Sequence, residues 1–168
     1  MEIRLLTPTD AKSYWDLRLE ALKQNPESFA QSYEDAIMRK NPLEQVRNNF
    51  STKGNFTLGA FDQGKLVGVV TLIQEQAVKI RHRATIYAMY VTPKNRKHGI
   101  GKALLTEAIS VAESLEEVTK INLSVVSQNE QAKNLYTSLG FKVFGTEKGA
   151  LKIDDQYLTE DHMVLFIR

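Results

Sequence analysis

The clearest candidate for chemistry in this sequence is a basic, glycine-containing segment, Arg96 to Gly101, between a strand-like and a helix-like stretch. Met89 to Val91 before it is typical of a strand, and the apolar residues from Ile100 onward recur every three or four positions, as in a helix. First-turn backbone N–H groups of a helix lack intrahelical acceptors, and the helix dipole adds positive charge there. Glycines let an anion approach those groups closely. The segment therefore predicts a phosphate or pyrophosphate site, with an ordinary loop-to-helix junction as the alternative.

A second candidate is the predicted helix from about Asn129 to Leu139. Its apolar residues and Tyr136 share one face, and Gly140 is placed to end it. Asn129 lies two turns before Tyr136, nearly on the same side of the helix. Tyr136 could fill the core or act in chemistry, and Asn129 could bind a ligand or cap the helix.

Two other phosphate-binding motifs are excluded by single residues. A Walker loop ends in Gly-Lys-Ser/Thr, whereas Lys102 is followed by Ala103. A dinucleotide fingerprint needs a third glycine where Leu104 stands. The sequence contains no cysteine, so thiolate nucleophiles, cysteine-ligated zinc and disulfides are also excluded. No His-x-x-x-His or similar spacing supports a metal site around His162.

The order of elements that must position these residues predicts a mixed sheet with helices on both faces. A short strand, Glu2 to Leu6, precedes three helices: one from Pro8–Asp10 through Leu22, one from Pro26 or Glu27 through Ile37, and one over Leu43 to Phe50. Strands follow at Phe56 to Phe61 and Leu66 to Ile73, joined by a hairpin at residues 62–65, and at Thr85 to Val91. The helix from Ile100 to about Leu115, the strand Ile121 to Val126, the Tyr136 helix and strands at Phe141 to Phe144 and Gln156 to Arg168 complete the chain. The fold class is α+β, an α/β sandwich.

Both candidate segments resemble the motifs of the GNAT superfamily of N-acetyltransferases, of the bacterial small-molecule type. Arg-x-x-Gly-x-Gly follows Val-x-Pro at the end of a strand, as in the acyl-CoA loop of that family. About thirty residues later comes Asn-x-x-Ala-x-x-Leu-Tyr-x-x-x-Gly-Phe, the second family motif. The resemblance implies the GNAT fold, with a mostly antiparallel sheet, and transfer of an acetyl group from acetyl-CoA to an amine. Because the chain has no cysteine for a cysteinyl acyl-enzyme, direct attack in a ternary complex is expected.

The resemblance also implies the roles of individual residues. The residues expected to bind acetyl-CoA are Met89, Tyr90, Val91, Arg96, Lys97, His98, Gly99, Ile100, Gly101, Lys102, Asn129 and Tyr136. The pantetheine arm is expected along the first three, where the sheet separates, with a backbone N–H near Tyr90 polarising the thioester carbonyl. Tyr136 is expected to donate a proton or hydrogen bond to the departing thiolate.

The acceptor side is less well determined by the sequence. An alkylammonium must lose its proton before attack, to a carboxylate, through a water chain, or by selection of its neutral form. Glu20 in the first helix is the candidate base, with an ordinary solvated helix charge as the other interpretation of this residue, and Glu75 is a second candidate. The residues expected to line the acceptor pocket, by resemblance, are Trp15, Arg18, Phe29, Tyr33, Glu160 and Asp161.

Length and composition bound the prediction further. The 168 residues, 42% hydrophobic and 25% charged, are expected to form a single domain, 1–168. The net charge of +2 and the lack of a long apolar stretch give no reason to expect a nucleic-acid or membrane partner, and a cytoplasmic location is expected. The expected partner is a small-molecule amine, with a homodimer as a further possibility by analogy. The alternatives are an acetyltransferase for protein N-termini or lysines, and an idle acyl-CoA-binding module.

Overall fold

The computed structural model describes all 168 residues as seven strands and five α-helices, with short 3₁₀ turns at 8–10, 26–28 and 93–95. The strands are β1 (Glu2–Leu5), β2 (Asn55–Asp62), β3 (Lys65–Gln74), β4 (Arg83–Val91), β5 (Lys120–Val126), β6 (Lys142–Ile153) and β7 (Gln156–Phe166). The helices are α1 (Ala11–Gln24), α2 (Tyr33–Ile37), α3 (Pro42–Phe50), α4 (Ile100–Ser114) and α5 (Glu130–Ser138).

All strands belong to one sheet in the order β1-β2-β3-β4-β5-β7-β6. Only β4 and β5 pair in parallel, and every other neighbouring pair is antiparallel. The prediction of a mixed, mostly antiparallel sheet is therefore confirmed.

Helices cover both faces of the sheet, as predicted. The larger core lies on one face, where α4 buries Leu104, Leu105 and Ala108 against strand residues such as Val70 and Ile121. We call this the α4/α5 face. On the opposite face, which we call the α1/α2 face, a smaller core packs α1 against β2, β3 and β4. No helix of the chain combines the length and apolar character needed to cross a membrane.

The β2–β3 hairpin turns where the sequence predicts it. Its two linking residues, Gln63 and Gly64, have φ of 48° and 78°, the left-handed values that a type I′ turn requires. The loop thereby fixes the register that pairs Asp62 with Lys65.

Two predicted elements differ from the structure. The helix predicted from Pro26 through Ile37 is interrupted, because Phe29 is extended (φ −134°, ψ 139°) and α2 starts only after Ser32, whose hydroxyl accepts from the Asp35 N–H at 3.0 Å. The strand predicted at Phe141 to Phe144 is much longer, since β6 runs to Ile153 as an exposed edge strand paired with β7. Exposed strand residues have no apolar alternation, so the sequence carried no signal for the extension.

Candidate active site

A gap opens in the middle of the sheet, between β4 and β5. These strands pair only over three residues each, ending with Thr85 opposite Asn122, and then separate. Just beyond that point β4 carries a bulge, because Tyr87 pairs with Thr71 and Tyr90 with Val69, leaving one extra residue in β4. The separation leaves one edge of β4 without a neighbouring strand, as the resemblance implies.

Strand alternation shows which backbone groups border the gap. The N–H of Thr92 donates to Val67 of β3 at 2.9 Å, so the N–H and C=O of the preceding residue, Val91, point away from β3 and toward β5. The Val91 carbonyl accepts from Nε of Arg96 at 2.9 Å. The Val91 N–H faces the gap, where an extended ligand could pair with it as an additional strand does.

The loop entering α4 presents six consecutive backbone N–H groups, from Lys97 to Lys102, that have no acceptor in the protein. The first helical bond runs from Ala103 N–H to the Gly99 carbonyl at 2.9 Å. Lys97 and Gly99 have φ of 65° and 78°, and such left-handed residues within a turn make successive N–H groups converge into an anion-binding concavity. The anion site predicted from the sequence is therefore present as a geometry.

The two glycines of this loop differ in what surrounds them. A Cβ added to Gly99 would meet no protein atom within 4 Å, so this residue leaves the concavity open. A Cβ on Gly101 would lie 3.2 Å from Cε of Met89 and 3.4 Å from Cδ2 of Leu135. Gly101 thus allows α4, β4 and α5 to pack closely, while its N–H remains one of the six without an acceptor.

The basic side chains of the loop also divide into two groups. Lys97, His98 and Lys102 are exposed, and no carboxylate lies within 4 Å of them. Arg96 turns inward: besides Val91, its guanidinium donates to Oδ1 of Asn25 at 2.7 Å and lies 5.4 Å from the centre of the Tyr90 ring. Arg96 therefore fixes the loop to α1 and β4, and the side chains of Lys97 and Lys102 are free to reach a bound anion.

Tyr136 projects from α5 into the larger core on the α4/α5 face. Its side chain is 7% exposed, its ring meets Phe141 edge to face at 6.1 Å, and no protein group hydrogen-bonds its hydroxyl. Burial alone raises the pKa of Tyr136 to about 12. The hydroxyl is consequently protonated at every physiological pH and free to donate to a ligand.

Two contacts hold α5 in place. Asn129 caps it, since Oδ1 accepts from the Ala132 N–H at 3.1 Å, while its amide NH₂ has no protein acceptor. Lys133 forms a 2.8 Å ion pair with the buried Asp161 of β7, which also accepts from Thr146 Oγ1 at 2.8 Å. These hydrogen bonds and the ion pair lower the pKa of the Asp161 carboxyl. Asp161, expected to line the acceptor pocket, instead lies on the α4/α5 face.

The other predicted acceptor-side residues are not gathered into one place. Trp15 lies with Lys12 and Arg47 in a separate groove between α1 and α3. The Tyr33 ring lies 4.5 Å from Nζ of Lys23. Arg18 and Phe29 do meet, with the guanidinium carbon 4.7 Å from the ring centre.

Glu20, the predicted base, accepts a hydrogen bond from the Tyr90 hydroxyl at 3.0 Å. Burial and that carboxylate raise the pKa of Tyr90 to about 12, so the hydroxyl stays protonated and keeps donating. The contact joins α1 to β4 directly beside the gap, on the α1/α2 face.

Sequence reasoning missed a hydrogen-bonded chain on the same face, formed by Ser124, His162 and Glu147. Ser124 Oγ lies 2.8 Å from Nδ1 of His162, and Nε2 of His162 lies 3.2 Å from Oε2 of Glu147. The three residues come from β5, β7 and β6, so only the strand register brings them together. Glu160, which pairs with Glu147, borders the same surface.

A cavity of about 180 Å³ opens beside the β4 bulge, between α1, α3 and the sheet. Tyr14, Phe50 and Tyr87 are among its lining residues, and the rings of Tyr14 and Phe50 meet edge to face at 5.3 Å. No group of three or more His, Asp and Glu side chains is placed to hold a metal ion. The site is thus a split sheet with an anion loop and a buried phenol on one side and a small, mostly apolar cavity on the other.

This architecture is that of an acyltransferase fold, and comparison with known proteins agrees. The model of the acetyltransferase (GNAT) domain family matches residues 3–164. The chain belongs to the GNAT acetyltransferase family.

Three similar proteins illustrate the range of the family. The peptidyl-lysine N-acetyltransferase YjaB of Salmonella typhimurium is 31% identical over 61% of each chain, and a spermidine N(1)-acetyltransferase of Thermoplasma acidophilum is 24% identical over 94% of this chain and 98% of that enzyme. The solved structure of yncA from Salmonella typhimurium with acetyl-CoA has a TM-score of 0.86 at 19% identity, covering 100% of this chain and 94% of that one. The chain spans less than two thirds of the length of the curated relatives it matches at 31–37% identity.

Proposed function

We propose that this protein is an acetyl-CoA-dependent N-acetyltransferase that acetylates a primary amine of a small molecule by direct attack in a ternary complex. The observation that carries the proposal is the row of six free N–H groups from Lys97 to Lys102, placed at the end of the strand that borders the gap. A diphosphate bound there would leave its attached arm free to lie along β4, past Val91.

The chain's own residues fit acetyl-CoA at each part of that path. The loop N–H groups, with Lys97, His98 and Lys102, would hold the pyrophosphate, and the Val91 N–H would pair with the arm. When bound, acetyl-CoA supplies a thioester whose carbonyl carbon the amine attacks, so that a C–N bond forms and the C–S bond breaks. A backbone N–H in the bulged part of β4, near Met89, is the donor proposed to polarise the carbonyl, and the free NH₂ of Asn129 is proposed to contact the arm.

Tyr136 is proposed to stabilise the departing thiolate. With a pKa of about 12, the phenol is a much weaker acid than a thiol, whose ordinary pKa is about 8.5. Tyr136 therefore donates a hydrogen bond to the thiolate rather than giving up its proton for long. This is a narrower role than full proton transfer, and it needs the protonated hydroxyl that burial preserves.

The Ser124–His162 pair is proposed to receive the proton of the acceptor ammonium. Ser124 lies on the β5 side of the gap, two residues beyond the last β4–β5 pair, Thr85 with Asn122. With Nε2–H donated to Glu147, Nδ1 of His162 accepts the Ser124 proton while Ser124 Oγ accepts one from the amine.

Glu20 then becomes a positioning residue, since its carboxylate is engaged by Tyr90. A Gln in its place can still accept from Tyr90 but cannot serve as a base. Glu20→Gln is expected to retain most activity, whereas Glu20→Ala should lose it together with acetyl-CoA affinity. If Glu20→Gln abolished kcat without changing acetyl-CoA affinity, Glu20 would be the base after all.

The cavity is proposed to hold the alkyl part of a small acceptor. Its volume of about 180 Å³, between α1, α3 and the sheet, suits a group of that size. An idle acyl-CoA-binding module would have no need of a free, buried phenol at the gap. A homodimer remains a prediction.

Release of the CoA thiol from acetyl-CoA, measured across amino acids, polyamines, aminoglycosides and peptides, tests the proposal. Release that depends on a small amine is expected. Thiol release only with peptides would support the protein-acetylating alternative. Binding of acetyl-CoA with no thiol release for any of these amines would favour the idle module. His162→Gln should lower kcat by about tenfold or more with acetyl-CoA affinity unchanged, and wild-type kcat in this variant would contradict the proton path.

A further inference from the structure

Two neighbouring arginines on the α1/α2 face, one of them partly buried, have no carboxylate partner. Arg18 of α1 is half buried, and Arg39, just after α2, is exposed beside it. No carboxylate oxygen lies within 4 Å of either guanidinium. Burial and the neighbouring charge of Arg39 lower the pKa of Arg18, so the site holds uncompensated positive charge.

The Gln31 amide, which lies between the arginines, cannot accept hydrogen bonds from both. In one orientation its Oε1 accepts from Arg18 at 3.4 Å and its NH₂ faces Arg39. In the other, Oε1 accepts from two nitrogens of Arg39 at 3.1 Å each, and the NH₂ then faces Arg18. Either way one guanidinium meets a donor instead of an acceptor. The cluster is short of acceptor oxygens.

The cluster lies next to the proposed acceptor cavity. Arg18 is one helical turn after Tyr14, which lines that cavity together with Tyr87 and Ala88 of the β4 bulge. The charges of Arg18 and Arg39 both reach the Tyr14 hydroxyl. The Arg18 guanidinium stacks over Phe29, which limits its freedom and leaves its donor edge available.

We propose that Arg18 and Arg39 bind a carboxylate of the acceptor, so that the substrate is an amino-acid-like amine rather than a polyamine. This inference rests on the proposed N-acetyltransferase function. Guanidinium groups pair with carboxylates through two parallel hydrogen bonds, and the two acceptor oxygens are what the cluster lacks. The cavity beside it takes an apolar side chain, and Ser124 and His162 lie on the side of the gap where the amine must arrive. A polyamine would instead bring a second ammonium against two unpaired arginines.

Matched acceptors test the carboxylate directly. Thiol release is measured with L-amino acids carrying apolar side chains, with their carboxamides, with the corresponding decarboxylated amines, and with spermidine. The free acids are expected to exceed both analogues in kcat/KM by about tenfold or more, mainly through KM, because a site built for an anion leaves donors unpaired without it. Equal kcat/KM for acid and amide, or a preference for spermidine, would overturn the inference.

Variants separate this subsite from the reaction itself. Arg18→Gln should lower kcat/KM for the free acid to the value for its amide and leave kcat/KM for the amide unchanged. Arg39→Gln, at an exposed position, gives a second test with little risk to folding. Arg47, an exposed arginine in the separate groove between α1 and α3, provides the matched control. Arg47→Gln should leave kcat/KM unchanged for both the acid and the amide. If both cluster variants kept the wild-type acid-to-amide ratio, the arginines would not be the site. If no amine supported thiol release at all, the proposed function itself would fail.

Discussion

Replacing Gly99 by alanine tests the anion loop, because the chain contains a matched glycine elsewhere. Gly99 and Gly64 share the same φ of 78°, and a Cβ added at either would meet no protein atom within 4 Å. An L-residue in this left-handed region costs about 1–2 kcal/mol. Both variants should therefore lose similar stability, corresponding to a fall in Tm of about 2–8 °C for a domain of this size.

The two variants should differ only in ligand binding. The methyl group at residue 99 would project into the concavity formed by the N–H groups of Lys97 to Lys102 and displace the pyrophosphate from at least one of them. A hydrogen bond to a charged group contributes about 1.5–3 kcal/mol, so the Kd for CoA should rise by roughly tenfold to more than a hundredfold. Gly64→Ala, in the β2–β3 hairpin, should bind CoA as the wild type does.

Isothermal titration with CoA gives the Kd of each variant, and thermal denaturation of the same preparations gives its Tm. Wild-type CoA affinity in Gly99→Ala, together with a Tm loss equal to that of Gly64→Ala, would refute the assignment of the pyrophosphate to this loop. Equal weakening of CoA binding in both variants would show that lost stability, rather than lost contact, is responsible.

Three further predictions concern stability and pH. Arg4 holds the Asp10 carboxyl through hydrogen bonds of 2.8 and 2.9 Å and lowers its pKa to about 2, so Asp10→Asn should cost about 1–2 kcal/mol at pH 7 in urea unfolding. Because the folded pKa lies below the ordinary 3.8, that difference should shrink as the pH falls from about 4 to 2. Ala88→Gly should raise stability by about 0.5–1 kcal/mol in thermal denaturation, since φ is 52° at this residue. If Tyr136 acts as a protonated donor with a pKa of about 12, kcat should show no alkaline loss below about pH 11.

Local signals in the sequence were enough to predict the elements that position the anion loop. The Gln63–Gly64 turn, the start of α4 after Gly99 and the end of α5 at Gly140 each depend on residues adjacent in the chain. The same holds for Asn129, whose capping bond, one of two roles left open by the sequence, is present in the structure.

Contacts across the sheet were not predictable, because they depend on strand register. Ser124, His162 and Glu147 are up to 38 residues apart and meet only because β5, β7 and β6 pair as they do. The orientation of the Arg96 side chain was also not predictable. Nothing in the sequence around this first residue of the loop indicates that its guanidinium turns inward and donates to Asn25.

The acceptor side was mispredicted in part for a related reason. Asp161 alternates with His162 along β7, and a shift of one residue decides which of them faces the gap. By resemblance, Asp161 was expected to line the acceptor pocket. In the structure it is buried beside Lys133 on the α4/α5 face. The Arg18–Gln31–Arg39 cluster depends on the extended segment after Pro26–Ser28, where a continuous helix was expected.

The most direct test of the central claim is single-turnover release of CoA thiol from bound acetyl-CoA, compared between the wild type and Tyr136→Phe. Tyr157→Phe, exposed at the far end of the β6–β7 hairpin, is the control. Amine-dependent release is expected from the wild type and the control. Loss of one hydrogen bond to the charged thiolate should slow Tyr136→Phe by roughly tenfold to more than a hundredfold, with acetyl-CoA affinity nearly unchanged. Unchanged turnover in Tyr136→Phe, or a wild-type chain that binds no acetyl-CoA at millimolar concentration, would contradict the central claim.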